Sequence, residues 1–276
     1  MKTRNLAFIG GGNMASAMIN GLIEDGTDPA HILVAEPDES RREQLAARFG
    51  VRTLNDNEEA ARQADIIVLA VKPQALKEVA TSLAPALAQN RPLCLSIAAG
   101  IRLASLQSWL GATVPVIRVM PNTPAMLGAG ASGLYAPPDI GDELRDQAEH
   151  IMRATGIAVW LDEESQMDAL TAVSGSGPAY FFLFMEAMEN SARKLGLEEK
   201  TAHLLVLQTA LGAARMALES ASELAELRNS VTSPGGTTEK ALEIFTQGGL
   251  TELVDKALSA ARDRSIELSE SLGKEQ

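Results

Sequence analysis

The stretch 8-FIGGGNMASAMI-19 holds Gly10, Gly12 and Ala15 in the spacing G-x-G-x-x-A, directly behind an apolar run and at the head of a helical pattern. A strand, a tight turn and a helix in that order build a seat for a pyrophosphate. Gly10 permits the turn, Gly12 lets a phosphate approach the backbone, and Ala15 lets the helix pack closely on the strand. Ile9, Gly10, Gly11, Gly12, Asn13 and Met14 are therefore expected against a dinucleotide, its phosphates facing the helix N-terminus. The next strand ends at Glu36, about 20 residues beyond the motif, where a carboxylate hydrogen-bonds the ribose 2′-OH of NAD and repels the 2′-phosphate of NADP. Arg41 and Arg42 follow and would offset that repulsion, although a solvated helix face explains them equally well. The cofactor is NADPH or NADH.

Two later strand ends extend the same ligand edge. In 69-LAVKPQ-74, Ala70, Val71, Lys72 and Pro73 lie where a dinucleotide crosses an open sheet, with Pro73 opening the next helix. Lys72 either lines the cofactor or is an exposed helix-start lysine. In 96-SIAAGI-101, Ser96, Ile97 and Ala98 supply small or apolar surface beside the expected nicotinamide. A third strand end, 118-RVMPNTPAMLGAG-130, reads as a rigid loop on the same edge. Other chemistry is missing: His31, His150 and His203 are scattered, and H-E-x-x-H, C-x-x-C and G-x-S-x-G do not occur. No metal site is expected. Hydride transfer needs none of these, because the cofactor carries the chemistry.

These residues need a frame to hold them. The first 160 residues or so alternate β-rich runs (Asn5–Ile9, Ile32–Ala35, Ile66–Val71, Leu93–Ile97, Val114–Val119, Ile157–Leu161) with helical patterns (Asn13–Glu24, Glu39–Phe49, Glu58–Gln63, Leu76–Leu87, Leu103–Leu110, Ile140–Ala154). Such alternation predicts an α/β fold, a Rossmann-type parallel sheet covered on both faces. From Asp162 only helical patterns follow: Ser165–Leu195, Lys200–Ser220, Glu223–Asn229, Thr238–Thr246 and Leu250–Leu272. The expected domains are 1–161, binding the dinucleotide, and 162–276, all helical, with a loose tail at Gly273–Gln276. Phe181–Met188 reads as apolar core.

Composition excludes several classes. With 276 residues, 46% hydrophobic and 22% charged, the chain is globular in type and long enough for two domains. A formal net charge of −12 argues against nucleic acid or an anionic membrane surface as partner. No apolar run reaches the roughly 18 residues of a membrane span. The single cysteine, Cys94, sits in an apolar run and reads as a buried strand residue; a soluble protein of the reducing cytoplasm is expected.

Two small-residue stretches interrupt the helical half: 174-SGSGPAY-180 and 231-VTSPGGTTEKAL-242. Gly175 and Gly177 are expected to permit a close approach, to a ligand or to a second helix. Pro234, Gly235 and Gly236 stop one helix, and Thr237 and Thr238 start another, so that backbone N–H groups face whatever anion lies before it. Taken with FIGGGNMA, AVKPQ, SIAAGI and RVMPNTPA, these stretches make nearly the whole chain resemble the pyrroline-5-carboxylate reductases, and VTSPGGTTEKAL is the most specific of them.

The resemblance implies a dinucleotide-binding domain and a helical domain that interlocks with a second copy in a homodimer; larger assemblies of such dimers occur in the family. It places the active site between one chain's cofactor domain and its partner's helices. It implies that the turn holds the carboxylate of pyrroline-5-carboxylate through Ser233 and the N–H groups of Gly236, Thr237 and Thr238. The Thr238 hydroxyl would hydrogen-bond the ring nitrogen, and Glu164 would lie near the substrate. The product would be L-proline. Asn57 matches a cofactor-contacting asparagine, whereas Glu36 stands where NADPH-using relatives commonly carry small polar residues. Two alternatives remain: a non-catalytic dinucleotide-binding redox sensor and a reductase of a related cyclic imine. A 3-hydroxyacid dehydrogenase is disfavoured, because Asp162–Ser191 lacks the lysine that such enzymes carry there.

Overall fold

Short runs of Val, Ile and Leu form the strands, and the stripes of apolar residues between them form the helices that cover both faces of the sheet. The computed structural model describes residues 4–274. The strands are β1 (Leu6–Ile9), β2 (Ile32–Ala35), β3 (Arg52–Leu54), β4 (Ile66–Leu69), β5 (Leu93–Ser96), β6 (Val116–Met120), β7 (Gly130–Tyr135) and β8 (Gly156–Trp160). The helices packed with them are α1 (Asn13–Glu24), α2 (Glu39–Phe49), α3 (Asn57–Gln63), α4 (Pro73–Asn90), α5 (Leu103–Leu110) and α6 (Asp142–Arg153). After β8 come α7 (Gln166–Leu170), a π turn (Thr171–Gly175), α8 (Gly177–Lys194), α9 (Glu199–Glu219), α10 (Leu224–Ser230), α11 (Thr237–Gln247) and α12 (Leu250–Lys274). Of the expected loose tail, Gly273 and Lys274 continue α12, and Glu275 and Gln276 lie outside the described residues.

The eight strands run in the order β3-β2-β1-β4-β5-β6-β7-β8. The first six are parallel in the doubly wound manner, and β7 and β8 run against them, since β6 pairs β7 antiparallel and β7 pairs β8 parallel. The sheet is thus mixed rather than wholly parallel. Two strands escape the sequence pattern. β3 is a three-residue edge, and β7 is GASGLY, whose glycines carry no hydrophobic signal. The structure supplies the reason for one of them: a Cβ on Gly133 would overlap the Leu170 side chain.

Side chains of alternating parity build a core on each face. Phe8, Val34, Val68 and Leu95 meet α1 and α6 on one side, and Ala7, Ile67, Leu69 and Cys94 meet α3, α4 and α5 on the other. Each Leu, Ile or Phe taken out of water there contributes about 1.5–3 kcal/mol. At the outer edge, Trp160 Nε1 donates to Glu149 on α6 at 2.7 Å, which ties β8 down. That hydrogen bond, with help from Arg153, holds the Glu149 carboxyl below its ordinary range.

The chain divides into two compact units. One runs to Ser176 and takes in the chain again from Ala260; the other is Gly177–Ser259. The division falls later than the sequence boundary at 161/162, because α7 and the π turn pack with the sheet: Leu170 on Gly133, Gly175 on Met120 and Glu164 on Arg118. The expected single helix over Ser165–Leu195 is accordingly broken at the π turn, where Ser176 N–H reaches back to Thr171 O at 2.8 Å.

The second unit corrects another expectation. Phe181, Phe182, Leu183 and Phe184 are 67, 64, 66 and 44% exposed in the single chain, so Phe181–Met188 is not a core of this chain. Among residues 177–259 only Gly177, Ala202 and Val206 are buried. Such a unit presents its apolar faces outward and needs a partner to cover them.

Cys94 is fully buried on β5, and desolvation pushes its thiol up to about 12. At pH 8 roughly one thiol in ten thousand is then ionised. The native protein should therefore leave a thiol-specific chromogenic disulfide unreacted for hours, and release one equivalent after guanidinium unfolding. A fast stoichiometric burst from native protein would contradict this burial.

Candidate functional site

The carboxyl ends of β1, β2, β4 and β5 bring most of the expected cofactor residues together. Ile9 ends β1 fully buried, and Gly10 turns away from it with φ +99. Gly10 N–H donates to Ala35 O at 2.8 Å, and Ala70 N–H donates to Ile9 O at 2.8 Å. A Cβ at Gly10 would stand 2.8 Å from Ala70 O, so only glycine fits between the ends of β1 and β4. Gly12 is the N-cap of α1 with no side-chain cap, and a Cβ there would meet nothing within 4 Å. The space before Asn13 and Met14 is therefore open, and the helix N-terminus faces it as an anion site requires.

Glu36 follows β2 and closes onto this loop. It is 8% exposed; one carboxylate oxygen accepts from Gly11 N–H at 2.9 Å and the other from Asp38 N–H at 3.1 Å. The loop packs closely here: a Cβ at Gly11 would come within 2.6 Å of Leu45 Cδ1 and 3.3 Å of the Glu36 carboxylate, so the Leu45 side chain would have to move aside. The two arginines left open by the sequence now part company. Arg42 is committed to the carbonyls of Glu36 and Pro37, both at 2.8 Å. Arg41 lines a cavity of about 240 Å³ beside Gly11, together with Asn13, Ser16, Gln44 and Arg48.

On the other side of Gly10, Val71 and Pro73 are half-buried and Lys72 is exposed. Lys72 is the N-cap of α4 and Pro73 its first residue. Ser96 is 2% exposed, and its hydroxyl has no hydrogen-bond partner among the described residues. Ile97 N–H donates to Leu69 O at 3.3 Å, and Ala98 is buried. Asn57 starts α3, half-buried, next to the N-cap Asp56. The residues present thus fit a dinucleotide: an open phosphate seat, an acidic group at the end of β2, and small residues at the two strand ends beyond.

Glu164 lies elsewhere in the same unit and is firmly occupied. Its Oε1 accepts from Arg118 Nη1 at 2.5 Å and from Leu103 N–H at 2.6 Å. Arg118 sits on β6 with its side chain 10% exposed, a buried cation that requires this partner. The sequence offered a signal for the pair: an arginine inside the apolar strand VIRVM has to be neutralised. Asn122, in the loop after β6, was likewise not singled out. It is 8% exposed; its Nδ2 donates to Ser174 O at 3.0 Å and its Oδ1 accepts from Ala131 N–H at 2.9 Å.

The Ser-Pro-Gly-Gly-Thr-Thr turn belongs to the second unit. Gly235 adopts φ +71 and its N–H donates to the Glu239 carboxylate at 2.8 Å. The expectation that Gly236 N–H faces a ligand is corrected: it donates to Ser233 O at 3.0 Å and so closes the turn. A Cβ at Gly236 would stand 2.9 Å from that same oxygen. The N–H groups of Thr237 and Thr238, in the first turn of α11, have no partner among the described residues, and α11 has no side-chain cap. Thr238 is half-buried and Thr237 exposed. Of the two helical glycines, Gly175 makes a close approach, to Met120 Cε, and Gly177 makes none within the chain.

Among the described residues, no three His, Cys, Asp or Glu side chains are placed to hold a metal ion, and no helix is long and apolar enough to cross a membrane. Comparison with known proteins now bears on the whole chain. Residues 164–268 match the family model described as pyrroline-5-carboxylate reductase dimerisation, and residues 5–100 match the NADP oxidoreductase, coenzyme F420-dependent, model. The pyrroline-5-carboxylate reductase of Pseudomonas aeruginosa is 54% identical over 273 residues, covering 99% of this chain and 100% of that protein.

The chain belongs to the pyrroline-5-carboxylate reductase family. The Vibrio alginolyticus reductase is 44% identical over 97% of this chain and 98% of its own length. The solved reductase of Coxiella burnetii superposes with a TM-score of 0.94 at 45% identity, covering 97% of this chain and 99% of that one. The Plasmodium falciparum reductase, solved with NADP bound, gives 0.86 at 30% identity, over 98% and 99%. The dimerisation model covers the helices whose apolar faces are exposed in the single chain, and the functional form of a reductase with this region is a homodimer.

The Glu164 contacts generate a stability prediction. Glu164→Ala leaves Arg118 half-sealed without a counter-charge and Leu103 N–H without an acceptor, at a cost of about 2 kcal/mol. Thermal unfolding without ligands should fall by about 5 °C. An unchanged midpoint would mean that the pair contributes nothing to the fold.

Proposed function

We propose that this protein reduces pyrroline-5-carboxylate to L-proline, using NADPH or NADH. The observation that supports it most is the 233–238 turn, with its two unpartnered N–H groups and the Thr238 hydroxyl, in a chain related over its full length to reductases of that name. Gly10, Gly11, Gly12, Asn13 and Met14 seat the pyrophosphate, and Glu36 takes the ribose hydroxyl. Ala70–Pro73, Ser96–Ala98 and Asn57 flank the rest of the dinucleotide. When bound, the reduced nicotinamide supplies a hydride to the imine carbon. Thr237 and Thr238 N–H hold the substrate carboxylate at the positive end of α11. The Thr238 hydroxyl hydrogen-bonds the ring nitrogen, which keeps the proton of the iminium form or takes one from solvent as the hydride reaches the carbon. Ser233 and Gly236 shape the turn, and Glu164 borders the substrate through the loop it fixes.

As functional regions, distinct from the compact units of the fold, residues 1–161 and 162–276 belong to the same proposal, as do a cytoplasmic location and assembly beyond the dimer. The lone buried Cys94 supports the location, and the family resemblance supports the assembly.

Purified protein given pyrroline-5-carboxylate should oxidise the reduced cofactor, followed by absorbance. Binding of the dinucleotide without oxidation would instead favour a sensor or another imine. Thr238→Ala should lower kcat by about 100-fold or more, the cost of one well-placed donor, and leave the cofactor Kd within about twofold. Loss of cofactor binding with intact turnover at saturation would place the turn wrongly. Glu36→Ser should move the NADPH/NADH preference towards NADPH by about tenfold, or 1.4 kcal/mol. An unchanged ratio would mean that Glu36 does not meet the ribose.

A further inference from the structure

The π turn between α7 and α8 is a costly piece of backbone with a specific support. A π turn lengthens the helical ring by one residue and leaves a carbonyl without its normal partner. Ser174 O lacks its i+4 donor because residue 178 is Pro178, which has no N–H, and Asn122 Nδ2 takes it from 52 residues away at 3.0 Å. Asn122 stands at the N-cap of the short 3-10 turn Thr123–Leu127, a position where asparagine ordinarily caps its own turn. It makes no such cap. Its oxygen is instead held by Ala131 N–H, which opens β7. One side chain, 8% exposed, thereby joins the end of β6, the start of β7 and the π turn. Met120, two residues before it, presses on Gly175, where a Cβ would come within 2.7 Å of its methyl group. The stretch 174–176 is thus fixed against the carboxyl end of β6, next along the sheet from Ser96–Ala98.

We infer that Asn122 is a positioning residue for hydride transfer: by holding Ser174 O it sets the distance at which the Ser174–Ser176 backbone stands from the ligand edge of the sheet. This rests on the reductase reading above. Both ends of the side chain are spent on backbone groups, Ser174 O and Ala131 N–H, so it acts through the π turn. The amide is used at both ends, as donor to a carbonyl and acceptor from an N–H, whereas an ionised aspartate of the same shape only accepts and a leucine does neither.

Asn122→Asp keeps the acceptor for Ala131 N–H and removes the donor to Ser174 O, so it isolates the π-turn contact; Asn122→Leu removes both. In the full-length protein, both variants should speed amide hydrogen exchange at residues 174–177 and lower kcat by about 10-fold to 100-fold, with cofactor Kd little changed. The primary isotope effect on kcat with 4-deuterated reduced cofactor should rise, because hydride transfer becomes slower relative to other steps. A merely structural role would lower the active fraction and leave the isotope effect as in wild type, which overturns the inference. So would wild-type exchange at 174–177 in Asn122→Asp, or wild-type kcat despite faster exchange. If the wild-type protein itself oxidises no cofactor with the imine, the reductase reading fails and this inference with it. An active wild type with an indistinguishable Asn122→Asp rejects this inference alone.

Discussion

The tightest constraint in the molecule is the passage of backbone past backbone where β1 gives way to the first turn. Gly10 stands between Ala35 O, to which it donates, and Ala70 O, which leaves no room for a Cβ. Three strands, β2, β1 and β4, are registered to each other at this point, and the sheet order turns about β1 and β4. Move the Gly10 backbone outward by the width of a methyl group and the ends of all three strands shift. The helix that follows would then no longer face the space the strands leave open. The fit of Gly11 to Leu45 and Glu36 depends on the same turn, because Glu36 reaches the loop only while β2 keeps its register with β1.

The second unit has the opposite economy. The sheet unit buries its apolar residues within one chain, whereas α8 to α11 keep Phe181, Leu183, Leu204 and Ile244 largely in solvent. At about 25 cal/mol per Å² of apolar surface, leaving several such side chains exposed forfeits an energy comparable to the roughly 5–15 kcal/mol that separates a folded domain from its unfolded state. The helices therefore owe their stability to a partner copy. A homodimer resolves that imbalance with the same side chains that read, in one chain, as a misplaced core.

How far the sequence revealed this depended on the range of the interaction involved. Local chemistry was readable: the glycine spacing, Glu36 at the end of β2 and Pro73 at the first position of α4 all declare themselves within a few residues. The helical tail and the sheet before it followed from periodicity. What stayed hidden were contacts between distant segments. β7 looks like a loop because its Gly133 answers to Leu170, nearly 40 residues on, and its Gly130 to Thr155 O and Ala125, and not to its own pattern. The break in the long helix depends on Asn122 and Met120, which belong to another strand end. The structural partner of Glu164 stayed hidden because its arginine lies on β6. Phe181–Met188 read as core because apolarity in a sequence says that a surface is covered, and not which chain covers it.

The contrast bears on how a site with so little titratable chemistry could work. Where a cofactor carries the reaction, the protein's contribution is distance and orientation, and an error of an ångström costs orders of magnitude. Side chains are poor rulers for that purpose, since each adds rotamers to be fixed. Backbone atoms in contact are better ones. At Gly10 the spacing is set by backbone meeting the Ala70 carbonyl, which a single added carbon would displace. At Asn122 it is set by a side chain with both ends hydrogen-bonded and no freedom left to rotate. The ligand edge of this sheet is therefore held by absences of side chain and by one amide, and such an arrangement can be exact without containing any strong acid or base.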